Sequence, residues 1–154
     1  MVSTSTLQER VATRKLMWVG PLMIVLAVLV NLIVRLLAVS FFGVAASFLY
    51  LQVPVVSITT VVFLLLALLA FVLVGRASRH PVRMFWIVAG VALLLSFLNP
   101  LLLLAGWWLP AVGMNLRIFR TMIVMHLVSA LIAVGLLTTL AIERGLPLGH
   151  VSSV

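Results

Sequence analysis

LMIVLAVLVNLIVRLLAV, residues 22–39, is the stretch on which the fold turns. It is hydrocarbon interrupted by one asparagine and one arginine. With its apolar approach it extends over Leu16–Val39, enough to cross a bilayer at about 20 residues per helix. An arginine at the centre of a membrane helix costs about 2.5–3.5 kcal/mol on insertion scales, and less towards the interface. Arg35 therefore needs a partner. The chain's two carboxylates, Glu9 and Glu143, both lie outside the apolar runs. What is left is a backbone carbonyl, a lipid phosphate, an anionic ligand or a neighbouring protein.

The rest of the composition agrees with a membrane setting. Of 154 residues, 66% are hydrophobic and 8% charged, against roughly 25% charged in soluble domains. The chain reads as an integral membrane protein. Without cysteine there is no disulfide, thiolate nucleophile or Cys-based zinc site. The net charge of +8 does not point to nucleic acid, because the basic residues stand in small groups at the ends of apolar runs. Arg10, Arg14 and Lys15 form one group, Arg76, Arg79 and Arg83 another, Arg117 and Arg120 a third, with Arg144 alone. Flanking positions of this kind set membrane topology.

Three further stretches match the first in length and apolarity: Pro54–Val74, Val82–Leu104 and Phe119–Ile142. Short connections make neighbouring helices antiparallel. The expected fold is an all-α, antiparallel bundle of four transmembrane helices, a single domain over residues 1–154. The first span has a basic leader and a small-residue triplet, Ala38-Val39-Ser40, as a signal peptide would. Asn31, Arg35 and the length of the run instead favour a retained helix. With the N-terminus inside, seven basic residues lie on the cytoplasmic side and three (Arg35, Arg117 and Arg120) on the outer side. This bias places both termini in the cytoplasm. Trp18 and Trp86 then fall at the inner interface, and Tyr50, Trp107 and Trp108 at the outer one. The last helix is expected to end at Arg144, followed by Gly145 and Pro147, and residues 1–8 and 148–154 read as tails.

Rising about 1.5 Å per residue, the four helices bring their polar residues to one depth in the outer half. These are Asn31 and Arg35, one turn apart on a shared face; Ser57 and Thr60; Ser96 and Asn99; and His126 and Ser129. Pro100 lacks an N–H, so the carbonyl of Ser96 loses its helical partner and a kink is expected there. Asn99 stands ready to satisfy the exposed backbone. His126, Ser129, Ala130 and Ala133 form a small-residue face that would admit another helix closely. Each position also has a local explanation: Ser57 and Thr60 bonding their own i−4 carbonyls, Asn99-Pro100 a structural kink, His126 an interhelical hydrogen bond, Arg35 reaching to headgroups.

Familiar chemistries are missing. The chain has no Asp for an aspartyl site, no H-E-x-x-H and no acidic partner to orient His126. His80 and His150 are too far from the depth of His126 for a two-histidine haem. No cofactor or metal is expected, and the chain reads as non-enzymatic. Proton-coupled transport normally uses an intramembrane carboxylate, also absent. Arg76, Arg79, His80 and Arg83 form a loop suited to anionic headgroups, though topology alone accounts for them.

Three stretches resemble an uncharacterised family of small bacterial four-helix membrane proteins, a domain of unknown function. They are NLIVRLLA (31–38), RHPVRMFWIVAGVALLLSFLNP (79–100) and MHLVSALIAVGLLTTL (125–140). The resemblance implies the four-helix architecture and the bacterial cytoplasmic membrane, and no activity. The functional expectation is an interaction protein: an accessory subunit, or a binder of a lipid or small anionic ligand. Its candidate ligand-binding residues are Asn31, Arg35, Asn99, His126 and Ser129. Membrane lipid is the expected partner, with other membrane subunits or a second copy of the chain beside it. The alternative is a small oligomeric channel or transporter.

Overall fold

Four runs of apolar residues become four helices because a backbone in hydrocarbon must satisfy its own hydrogen bonds. In the computed structural model, which describes residues 9–107 and 113–144, they are α1 (Thr13–Phe42), α2 (Val53–Ala77), α3 (Pro81–Ser96) continued by α4 (Leu98–Leu104), and α5 (Leu116–Leu140). All four spans are long and apolar enough to cross a membrane. A 3-10 turn at Leu49–Leu51 precedes α2. Two short strands, β1 (Glu9–Val11) and β2 (Ile142–Arg144), pair antiparallel. Trp108, Gly145, Pro147 and the two tails lie outside the described residues.

The strand pair revises the expected end of the last helix. That helix stops at Leu140, and Ala141 accepts a hydrogen bond from the N–H of Ala12 at 2.9 Å. Pairing satisfies the backbone of both arms where the chain leaves the bundle. Its register sets Glu9 opposite Arg144, Arg10 opposite Glu143 and Val11 opposite Ile142. Lys15 reaches Glu143 at 3.6 Å, with both side chains well exposed, so that ion pair adds little stability.

The bundle has two ends. β1 lies against α2 and α3 near the 78–80 turn, so the chain's two arms and that turn share one end. The segment 43–52 and the approach to α5 share the other. At the first end Val19, Met23, Phe71, Phe85 and Leu137 are packed together, with Phe71 and Phe85 edge-on at 4.9 Å. At the second, Val44, Phe48 and Leu51 fold back onto Leu103, Ile118 and Met122. The connection between α1 and α2 is thus part of the core. Large apolar side chains such as Met17, Phe41, Leu94 and Leu131 cover the perimeter, as a surface facing acyl chains requires.

The two prolines within spans behave differently. Ahead of Pro100 the helix breaks at Phe97, whose N–H turns to Leu94 O at 3.2 Å, as the missing N–H predicts. Pro21 leaves α1 continuous, an accommodation open to membrane helices.

Gly43 ends α1 in the left-handed region, with φ 61°. A Cβ there would also stand 3.1 Å from Nη1 of Arg117, which donates to Phe42 O. Gly106, at φ 72°, has open space around it. Gly43→Ala should therefore lose more stability than Gly106→Ala, whose cost is the left-handed backbone alone, about 1–2 kcal/mol. Thermal unfolding of both variants in detergent checks the order, and equal losses would mean that Arg117 yields freely.

Candidate functional site

Asn31, on the inward face of α1, is 3% exposed. Its Nδ2 donates to Thr60 Oγ1 at 3.0 Å and to Ser129 Oγ at 2.9 Å. One amide thereby ties α1 to α2 and α5. Asn31 Oδ1 is buried without a hydrogen-bond partner among the described residues. Ser57 bonds Val53 O of its own helix, as expected of a hydroxyl in a span. Thr60 does not do the same: its oxygen serves as acceptor for Asn31.

Arg35 lies one turn along α1 and has a different task. Its Nε donates to the carbonyl of buried Leu51, clamping the 3-10 turn ahead of α2. Of the partners open to it, the backbone carbonyl is the one it has. Its side chain lines neither of the cavities described below. The structure therefore separates Arg35 from Asn31, His126 and Ser129, which the sequence grouped with it.

His126 turns to its own helix, with Nδ1 2.7 Å from Met122 O, and not to a neighbouring helix. A carbonyl only accepts, so Nδ1 carries the proton, and in the neutral ring Nε2 is an acceptor. The ring meets Phe97 edge-on, centroids 6.3 Å apart. Asn99, on α4, is exposed and borders the same space. Ser96 donates to Leu93 O at 2.7 Å, consistent with the kink beside it.

Asn31, Asn99, His126 and Ser129 line one cavity of about 230 Å³ between α2, α3 and α5. Tyr50, Thr59, Thr60 and Ser96 join them at its polar end. The lining then runs along α2 from Val55 to Ala70, about 22 Å at 1.5 Å per residue. Towards the terminal end the walls are apolar, with Ala67, Ala70, Phe85, Val88 and Ala89. Small side chains leave the space, Ala130 and Ala133 bordering it. The same face also receives another helix as expected, with Ser129 bonded to Asn31 and Ala133 buried in one cluster with Met23 and Ala27 of α1. Thr59, Phe63, Ala92 and Asn99 are exposed members of the lining, so it opens on the perimeter. Among the described residues, no Lys, Arg, Asp or Glu stands in its wall.

A second space, of about 350 Å³, lies between the loop ends of α1 and α5, bordered by Phe42, Arg117 and Arg120. Among the described residues no group of three or more His, Cys, Asp or Glu could hold a metal ion. No protein-family model matches the chain, and neither a curated protein nor a solved structure is detectably similar to it.

Tyr50, Thr59, Thr60 and Ser96 are the polar lining residues that the sequence's candidate set leaves out, and Thr59 carried no signal at all. Tyr50 read as an interfacial belt residue, and Thr60 as bonded within its own helix. A signal for Thr60 was present, since it shares the depth of Asn31; nothing in the sequence brings Tyr50 to the cavity.

Two substitutions test these roles by thermal unfolding in detergent. Arg35→Leu strands Leu51 O and should cost about 1–3 kcal/mol, whether or not anionic lipid is added. Arg35→Lys should retain part of the stability, because a single carbonyl accepts equally from an ammonium. An R35L protein as stable as wild type would deny the clamp. Asn31→Ala should cost about 1 kcal/mol, the scale of interhelical polar contacts in membranes, because both hydroxyls can turn back to their own helices.

Proposed function

We propose that this protein is a non-enzymatic, multi-pass protein of the bacterial cytoplasmic membrane that holds a single-chain lipid or lipid-like molecule between α2, α3 and α5. The observation that carries the reading is the shape and polarity of that cavity. It is long and narrow, with hydrogen-bonding groups at one end and hydrocarbon along the rest. An amphipathic molecule aligned with the bundle has the same distribution. Its opening on the perimeter would admit a ligand from the bilayer, without passage through water.

Two features weigh against a small anionic ligand. Among the described residues the cavity wall holds no Lys or Arg, and an unpaired charge buried there would be strongly disfavoured. Arg35, the cation nearest in sequence to the polar cluster, donates to Leu51 O.

The orientation follows from charge. Arg14, Lys15, Arg76, Arg79 and Arg83 all lie towards the terminal end of the bundle, and this end is taken as cytoplasmic. The polar end of the cavity then belongs to the outer leaflet. The resemblance to small bacterial four-helix membrane proteins fits the same setting.

A cysteine at Ala46 should react with an impermeant thiol reagent in intact cells, and one at Ser78 should be protected; the reverse pattern would invert the orientation. For the cavity, the full chain should be purified in mild detergent and its bound lipids identified by native mass spectrometry. Wild type is expected to retain a lipid-sized adduct. Ala133→Leu, which extends a side chain into the space, should lose it while the protein stays folded. An adduct equally abundant in A133L would place the lipid elsewhere.

A further inference from the structure

The polar end of the α2/α3/α5 cavity carries information about the headgroup, and the inference rests on the lipid-binding reading above. Three groups meet there with hydrogen-bonding capacity that the protein leaves unused. His126 commits Nδ1–H to Met122 O, which leaves Nε2 of the neutral ring as an acceptor. Ser129 and Thr60 each accept from Asn31, and among the described residues neither hydroxyl proton has an acceptor. Asn31 Oδ1 is a further acceptor, buried and without a partner among the described residues. Polar capacity left open in hydrocarbon is costly, and it is concentrated at one depth in the bundle.

The unused groups specify a complement. It must donate a hydrogen bond to an acceptor nitrogen and accept one from a hydroxyl, and it must carry no charge. A phosphate fails the first requirement when fully ionised and the third in any case. An ester carbonyl or an ether only accepts. A hydroxyl does both. The site is also narrow, about 230 Å³ including its apolar length, below the 300–1,000 Å³ of sites for drug-sized molecules. That size favours a small head on a single chain.

We infer that the cavity is selective for a neutral lipid whose head is a free hydroxyl, such as a long-chain alcohol or a monoacylglycerol. The hydroxyl donates to His126 Nε2 and accepts from Ser129 or Thr60, and the chain runs between α2, α3 and α5 past Ala67 and Ala89. His126 is then the residue that distinguishes a donor head from an acceptor head.

The test uses the full chain in phosphatidylcholine nanodiscs, which avoids hydroxyl-bearing detergents. Three probes share one chain: oleyl alcohol, its methyl ether and oleyl phosphate. Native mass spectrometry after release from the disc reads the retained adduct. Wild type should retain the alcohol about tenfold over the ether, the difference expected of one well-formed hydrogen bond in a dry site, and should retain the phosphate least. His126→Phe should remove the preference between alcohol and ether. His126→Gln should keep part of it, because the Gln carbonyl can accept from the same hydroxyl, and this variant also guards against a folding defect in H126F. Equal retention of alcohol and ether by wild type would overturn the headgroup assignment and leave the lipid-binding reading intact. Preferential retention of the phosphate would overturn it in favour of an anionic site. Failure of all three probes to bind would remove the lipid-binding reading itself.

Discussion

One carboxamide joins three helices of the bundle. Asn31 spends both amide protons on hydroxyls from two other helices, and those contacts set the rotation of α1 about its axis. In lipid there is no hydrophobic force to bring helices together, so close packing and interhelical hydrogen bonds must do it. The polar contacts are individually small. Their effect here is positional: with Asn31 facing inward, Arg35 one turn on is carried to the 3-10 turn, and Leu51, Phe48 and Val44 are held against α5.

The same contacts explain why a cavity exists. Ser129 is drawn towards α1, while the alanines that follow it on α5 present little volume towards α2 and α3. The kink ahead of Pro100 reorients α4 and brings Asn99 to the edge of that space. Interiors are ordinarily packed to crystal-like density, and a long gap lined by alanine, with polar groups at one end, is suited to an occupant with the same distribution. The arginine that stands out in the sequence bonds Leu51 O, and uncharged residues line the cavity.

Much of the fold was legible in the chain. The number of spans, their approximate limits and the kink near Ser96 follow from runs of apolar residues and the missing N–H of Pro100. These are local consequences of placing a backbone in hydrocarbon. The shared depth of Asn31, Thr60, His126 and Ser129 was also legible, because a fixed rise per residue and antiparallel helices turn sequence position into height. Ends of elements were less so. The arms around Glu9 and Glu143 pair as strands because each finds the other, and neither carries a signal for it alone.

Rotation and partner choice belonged to the tertiary structure. The sequence gives the height of a residue but not which neighbour its side chain meets. Arg35 had several permissible partners, and only the return of the 43–52 segment brought Leu51 O within reach. Thr60 had an acceptor in its own helix, and the approach of Asn31 gave it a different bond. His126 looked like a contact between helices and became a contact within one, which freed the other side of its ring for the cavity. Pro21 and Pro100 are the same residue in similar apolar surroundings, yet one lies in a continuous helix and the other follows a break. The sequence alone determined that four helices would stand in a membrane with their polar groups at one level. The packing of those helices decided which groups would satisfy one another and which would be left facing an open space, because hydrogen bonds between helices depend on rotations that no single helix fixes by itself.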